Sequence, residues 1–142
     1  MFDILVSAAV EAATNDSDRQ WEASRPDRGG AGRYLDSNVR AVWDDVPTWI
    51  RSLALCVARH ESLHSGHYVA ENPTSTAAGR YQFLSSTWQG NAKWAKVDGK
   101  FVARQYATAS AAPAWVQDAV FVHSIQNGGI KAWRGTGCAG TE

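Results

Sequence analysis

The fourteen residues from Pro113 to Gln126, PAWVQDAVFVHSIQ, are apolar around most of a helical circumference. A helix of that kind has no solvent-facing stripe, so it must run through the centre of a domain with other elements packed around it. Pro113 opens it, and Asn127, Gly128 and Gly129 stop it. A chain of 142 residues, 44% hydrophobic and 20% charged, has material for one such core and hardly for two. These values exclude a disordered, collagen-like or coiled-coil chain.

A second helix is predicted where Pro47 opens PTWIRSLALCVARHES. Ile50, Leu53 and Val57 follow at helical spacing, and the next step of four lands on Glu61, so a carboxylate ends an apolar stripe. Desolvation there disfavours the ionised form and suits Glu61 to act as a general acid. The alternative is a Glu turned into solvent or paired with Arg59 or Arg51. Trp49 and Trp115, on the two apolar helices, are assigned to the core.

The remaining chain is organised around these helices. Residues 2–13 read as a short helix and 14–33 as a polar linker broken by Pro26, Gly29, Gly30 and Gly32, with another short helix around Asn38 to Trp43. Residues 66–80 read as a loop or small hairpin leading into the apolar segment Tyr81 to Leu84. Ser85 or Ser86 caps a helix holding Trp88 and Trp94, and Asp98-Gly99 marks a turn. No apolar run reaches the ~20 residues of a membrane span, and the opening segment has Asp3 where a signal peptide would have a basic residue.

Charge is asymmetric. Residues 1–50 hold nine acids against five Arg, and residues 51–142 hold nine Lys or Arg against five acids. The second part favours a polyanionic partner such as nucleic acid, teichoic acid or peptidoglycan. Its basic residues are too dispersed for a dedicated DNA-binding face, so nucleic acid is not the expected partner. Cys56 and Cys138 form no CxxC or Cys/His cluster; they are either one disulfide or two buried thiols.

His60-Glu61-Ser62-Leu63-His64 also spells the H-E-x-x-H pattern of zinc peptidases. The helix would have to continue through His64, but Gly66 follows at once, and Ala70 stands where the longer form of the motif places a third His. Glu71 is too near to be the downstream Glu ligand, which leaves His67 or His123 to complete such a site. No metal is therefore assigned.

Taken in order, CVARHES, NPTSTAAGRYQFLSSTW and SIQNGG resemble the lytic transglycosylase and goose-type lysozyme superfamily. Its Glu-Ser pair corresponds to Glu61-Ser62, its Gly-x-x-Gln segment to Gly79 through Gln82, and its Tyr-Asn segment to Gln126-Asn127, with Gln in place of the usual Tyr. AWRGTGC and the two cysteines look like the transglycosylase-like domains of actinobacterial resuscitation-promoting factors and actinobacteriophage lysins. The resemblance covers residues 48–138. It implies a mainly α, α+β lysozyme-like domain over 46–142, whose helical body and small loop or hairpin lobe form a glycan cleft, with 1–45 as an extension.

The same resemblance implies cleavage of the β-1,4 bond between N-acetylmuramic acid and N-acetylglucosamine in peptidoglycan. Glu61 would be catalytic, and Ser62, Tyr81, Gln82, Trp88 and Asn127 would bind substrate; Tyr81 and Trp88 are the aromatic groove candidates among seven Trp and four Tyr. A transglycosylase needs no second carboxylate and leaves a 1,6-anhydro end. An inverting hydrolase needs one about 6.5–9.5 Å away, for which Glu71 and Asp98 are available. No cofactor is implied. A rival from another class is a non-catalytic wall-binding or virion module. Without a signal peptide the expected route to the wall is a phage one, in a virion or by release at lysis, with residues 1–45 as a tether.

Overall fold

The computed structural model describes residues 37–61, 75–138 and 140. The expected N-terminal helix and linker, together with Ser62, His64, His67 and Glu71, lie outside the described residues. The elements are α1 (Ser37–Trp43), α2 (Thr48–Glu61), α3 (Ser85–Ala92), the strands β1 (Lys96–Val97) and β2 (Lys100–Phe101), a 3-10 turn at Ala109–Ala111, α4 (Ala114–Gln126) and a kinked 3-10 stretch at Gly129–Thr136. The described part is therefore mainly helical with one small antiparallel sheet.

α4 is the central helix. Ten of its thirteen residues are buried, polar Gln117, Asp118 and Ser124 among them, and α1, α2, α3, β1 and the last 3-10 stretch all pack on it. Pro113 sits just before its first turn, and its carbonyl accepts from the Val116 and Gln117 amides. At the other end the Asn127 amide returns to the His123 carbonyl at 3.1 Å, and Gly128 takes the left-handed conformation with φ 85° that a side chain would resist.

α2 is amphipathic as its sequence predicts. Ile50, Leu53, Ala54, Val57 and Ala58 face the core, and Pro47 supplies the carbonyl for the first turn. Trp49 does not: it is 56% exposed, because it lies about 100° around the helix from Ile50, outside the 50-53-57 and 54-58 rows that face the core. Trp115 is partly buried. α1 forms where the sequence places a short helix around Asn38 to Trp43. Val39, Val42 and Trp43 are buried in the common core, and the Trp43 Nε1 donates to Asp118 on α4 at 3.3 Å.

A reversal at residues 78–83 carries the core's second half. Ala78 and Phe83 form an isolated antiparallel bridge, and Gly79 and Gln82 both have positive φ. A Cβ on Gly79 would lie 2.4 Å from the Gln117 Oε1, so glycine is needed there for space as well as for conformation. The Tyr81 ring stacks on Phe121 at 4.2 Å between centroids, and Phe83 meets Trp88 and Trp133 edge-on at 5.4 and 5.2 Å. The other turn, Asp98-Gly99, has positive φ at both residues, the two-residue hairpin geometry that favours Asp-Gly.

Asp118 is fully buried and accepts from Arg80 Nη1 at 3.0 and 3.1 Å and from the Tyr81 hydroxyl at 2.6 Å, besides Trp43. The adjacent Gln117 accepts from the Arg80 amide at 2.8 Å and donates to the Ala112 carbonyl at 2.9 Å. Cys56 on α2 is bonded to Cys138 past the last 3-10 stretch, with Cα atoms 5.9 Å apart. This decides between the two states left open for the cysteines.

Two stability predictions follow from this core. Arg80→Met leaves a buried carboxylate without its cation and should lower unfolding free energy in urea by about 3–5 kcal/mol; a loss under about 1 kcal/mol would show that the pair contributes little. Reducing the disulfide, which closes a sequence separation of 82 residues, removes up to about 4.5 kcal/mol on the chain-entropy model and should lower Tm. An unchanged melting curve in strong reductant would contradict it.

Candidate active site

Glu61 is the last residue of α2 and continues the row Ile50, Leu53, Val57 to the edge of the core. Its side chain is half-buried, and burial pushes its carboxyl above the ordinary carboxylate value, with the neighbouring His60 pulling weakly the other way. Among the described residues neither arginine considered as a partner forms an ion pair with it. Arg51 instead turns to the start of α2, donating to the Val46 carbonyl and to Thr48 Oγ1. Glu61 thus presents, at the margin of solvent, a carboxyl whose protonated form desolvation favours.

Gln82 lies in the tight reversal at 78–83, half-buried, with Nε2 donating to the Gly79 carbonyl at 2.9 Å. That bond and the positive φ of 52° set its side chain by the turn itself. Ser62, which follows Glu61 directly, lies outside the described residues.

The two aromatic groove candidates are corrected by the structure. Tyr81 and Trp88 are both fully buried. Tyr81 is held by Phe121 and Asp118, and the Trp88 Nε1 donates to the Tyr106 carbonyl at 2.8 Å. Neither presents a face on which a sugar could stack; the partners that satisfy their polar atoms are in the core. Among the described residues the exposed large aromatics are Trp49, Trp94 and Phe101, two of them on the rim of the hairpin, where Arg104 lies 3.4 Å over the Phe101 ring.

Asn127 is exposed and ends α4. Its Nδ2 donates to the His123 carbonyl at 2.8 Å and approaches His123 Nδ1 at 3.4 Å, so its described bonds are those of a helix cap. Asp98 sits at the hairpin tip and lines a depression with Asp45, Trp94, Lys96, His123 and Gln126. Glu61 is not in that wall. Asp45 precedes α2 and Glu61 ends it, about 20 Å further along a fourteen-residue helix. The other second-carboxylate candidate, Glu71, lies outside the described residues.

His123 lines the same depression as Asp98, its pKa lowered by burial, and it is not in the group that holds His60. The described His/Cys/Asp/Glu group that includes His60 consists of Cys56, His60 and Cys138. No set of ligands for the H-E-x-x-H pattern is assembled among the described residues, and His64 and His67 lie outside them.

Sequence reasoning missed Asp118 and Arg80, which position Tyr81 and hence the turn that carries Gln82. The available signal was a lone Asp inside an apolar helix, since a fully buried carboxylate requires a cation or several donors.

Over 77 residues, 54% of its length, the chain is 44% identical to proteins named probable transglycosylase SceD from Staphylococcus aureus, including those of strains Newman and USA300. It spans 29% of the length of those relatives. No family model matches the chain, and no solved structure matches it. The matched segment is transglycosylase-like.

Because folding raises the Glu61 pKa, the folded chain holds that proton more tightly than the unfolded chain. The group's contribution to stability is whole below the ordinary carboxylate range and is lost as pH rises through the raised value. Glu61→Gln removes this loss, so its Tm relative to wild type should climb between acidic and neutral pH. A constant difference across that range would show that Glu61 is not desolvated.

Proposed function

We propose that the chain cleaves the glycan strand of peptidoglycan, with Glu61 as acid and then base. The observation that carries this reading is the half-buried carboxyl that ends an apolar helix, with no ion-pair partner among the described residues; similarity to the probable transglycosylases supports the reaction class. Protonated Glu61 gives its proton to the oxygen between N-acetylmuramic acid and N-acetylglucosamine, and the C1–O bond breaks with that proton on the leaving sugar. The Glu61 carboxylate then takes the proton of the muramic C6 hydroxyl as its oxygen bonds to C1. The product is a 1,6-anhydro end, no water is consumed, and Glu61 returns to its starting state.

The transglycosylase outcome is preferred to hydrolysis for a stated reason. It needs one carboxylate, and Glu61 at the end of α2 supplies one. The basic balance of residues 51–142 suits an anionic wall polymer.

Glu61→Gln keeps the side-chain shape but cannot give or take the proton. It should abolish clearing of wall suspensions while wall binding persists. Clearing within tenfold of wild type would mean that less than about 1.4 kcal/mol of transition-state stabilisation was lost, and general acid catalysis by Glu61 would be wrong. Binding without clearing by wild type would favour the non-catalytic module. Mass spectrometry of released fragments separates the two enzymatic outcomes: anhydromuramic ends support transglycosylation, and reducing ends heavier by one water would establish hydrolysis.

A further inference from the structure

The disulfide has a third potential ligand beside it. Cys56 and His60 stand four apart on α2, which puts them on one face of the helix. Their donor atoms and the Cys138 sulfur all lie within 4.8 Å of one another. Tetrahedral zinc with Zn–S of about 2.3 Å and Zn–N of about 2.0–2.1 Å places its ligand atoms roughly 3.5–3.8 Å apart, so the three donors are already gathered to within a side-chain rotation of a zinc site. The Cα atoms of the two cysteines, 5.9 Å apart, need no large movement for the sulfurs to separate.

The surroundings hold this geometry and leave it reachable. Cys138 is buried, with its amide donating to Thr136 Oγ1 at 3.1 Å and that hydroxyl donating to the Trp133 carbonyl at 2.7 Å, so the chain end is fixed before any ligand arrives. Cys56 lines an open depression with Trp49, Ser52, Leu53 and Gly140, and His60 is exposed. A small reductant and a metal ion both have an approach to the site.

We infer that the reduced chain binds one Zn²⁺ through Cys56, His60 and Cys138, and that the disulfide and the metal are alternative fasteners for the same chain end. A dithiol reductant supplies two electrons and two protons to the S–S bond and becomes a cyclic disulfide. The two thiols formed then release two protons as their sulfurs bind the cation, and His60 contributes a ring-nitrogen lone pair. A fourth position remains for water. This site is distinct from the H-E-x-x-H reading: it uses the first His of that sequence without the second, and assigns it a structural partner rather than peptide hydrolysis. It does not depend on glycan cleavage.

The test uses the full chain, oxidised or reduced with a phosphine under nitrogen, and Co²⁺ and Zn²⁺ as probes. The reduced protein should take up one equivalent of Co²⁺ with the thiolate charge-transfer and ligand-field bands of a tetrahedral site, and Zn²⁺ should displace it. The oxidised protein should show no such bands. His60→Ala, which leaves both cysteines in place, should bind zinc at least about tenfold more weakly in competition with a chromogenic chelator, whereas His64→Ala should match wild type. Zinc should also raise the Tm of the reduced chain, or restore its helical circular dichroism if reduction unfolds it. Absence of the thiolate band in the reduced wild type, equal affinity in His60→Ala, or loss of affinity in His64→Ala instead would overturn the assignment.

Discussion

The fold depends on one buried carboxylate. Asp118 lies inside a helix whose other sides are apolar, and burial pushes its carboxyl above the ordinary value while Arg80, Tyr81 and Trp43 pull it back. A charge at that depth persists only where its partners are held in place, and these partners come to α4 from α1 and from the reversal at 78–83. Tyr81 is committed to the same purpose: burial first, and the nearby Asp118, keep its hydroxyl protonated and donating. Three chain segments that are remote in sequence are thereby tied to one point.

From that point the candidate site is assembled indirectly. Arg80 and Tyr81 fix the turn, the turn gives Gln82 its left-handed conformation, and the Gly79 carbonyl receives the Gln82 amide. Gly79 is required because Gln117, next to Asp118, fills the space a side chain would take. Glu61 is positioned differently, by the apolar row of α2 and by Cys56, which joins the same helix to the chain end. A polar network and a covalent link thus hold Gln82 and the helix that ends in Glu61 on a common core.

Much of the architecture was legible because it rests on local pattern. The central helix, the stripe ending at Glu61 and the Asp98-Gly99 turn each follow from residues close in sequence, where period and backbone conformation suffice. Errors cluster where burial depends on distant partners. Trp49 has the composition of a core residue, but a rotation of one position on the helix turned it outward. Tyr81 and Trp88 looked like groove aromatics, yet the hydroxyl and indole of these residues found acceptors inside the core. Asn127 kept the capping role its local context supports.

By itself, the sequence determined the helical class, the direction of α2's buried face and the place of a carboxylate at its end, since these are set by hydrophobic spacing and by proline and glycine stops. Only the tertiary structure decided that the two cysteines are joined, that Tyr81 and Trp88 are buried, and that Arg80 and Asp118 meet in the centre. The physical reason is the same in each case. Loop closure brings together residues tens of positions apart, and one-dimensional spacing carries no information about which buried polar groups will satisfy one another.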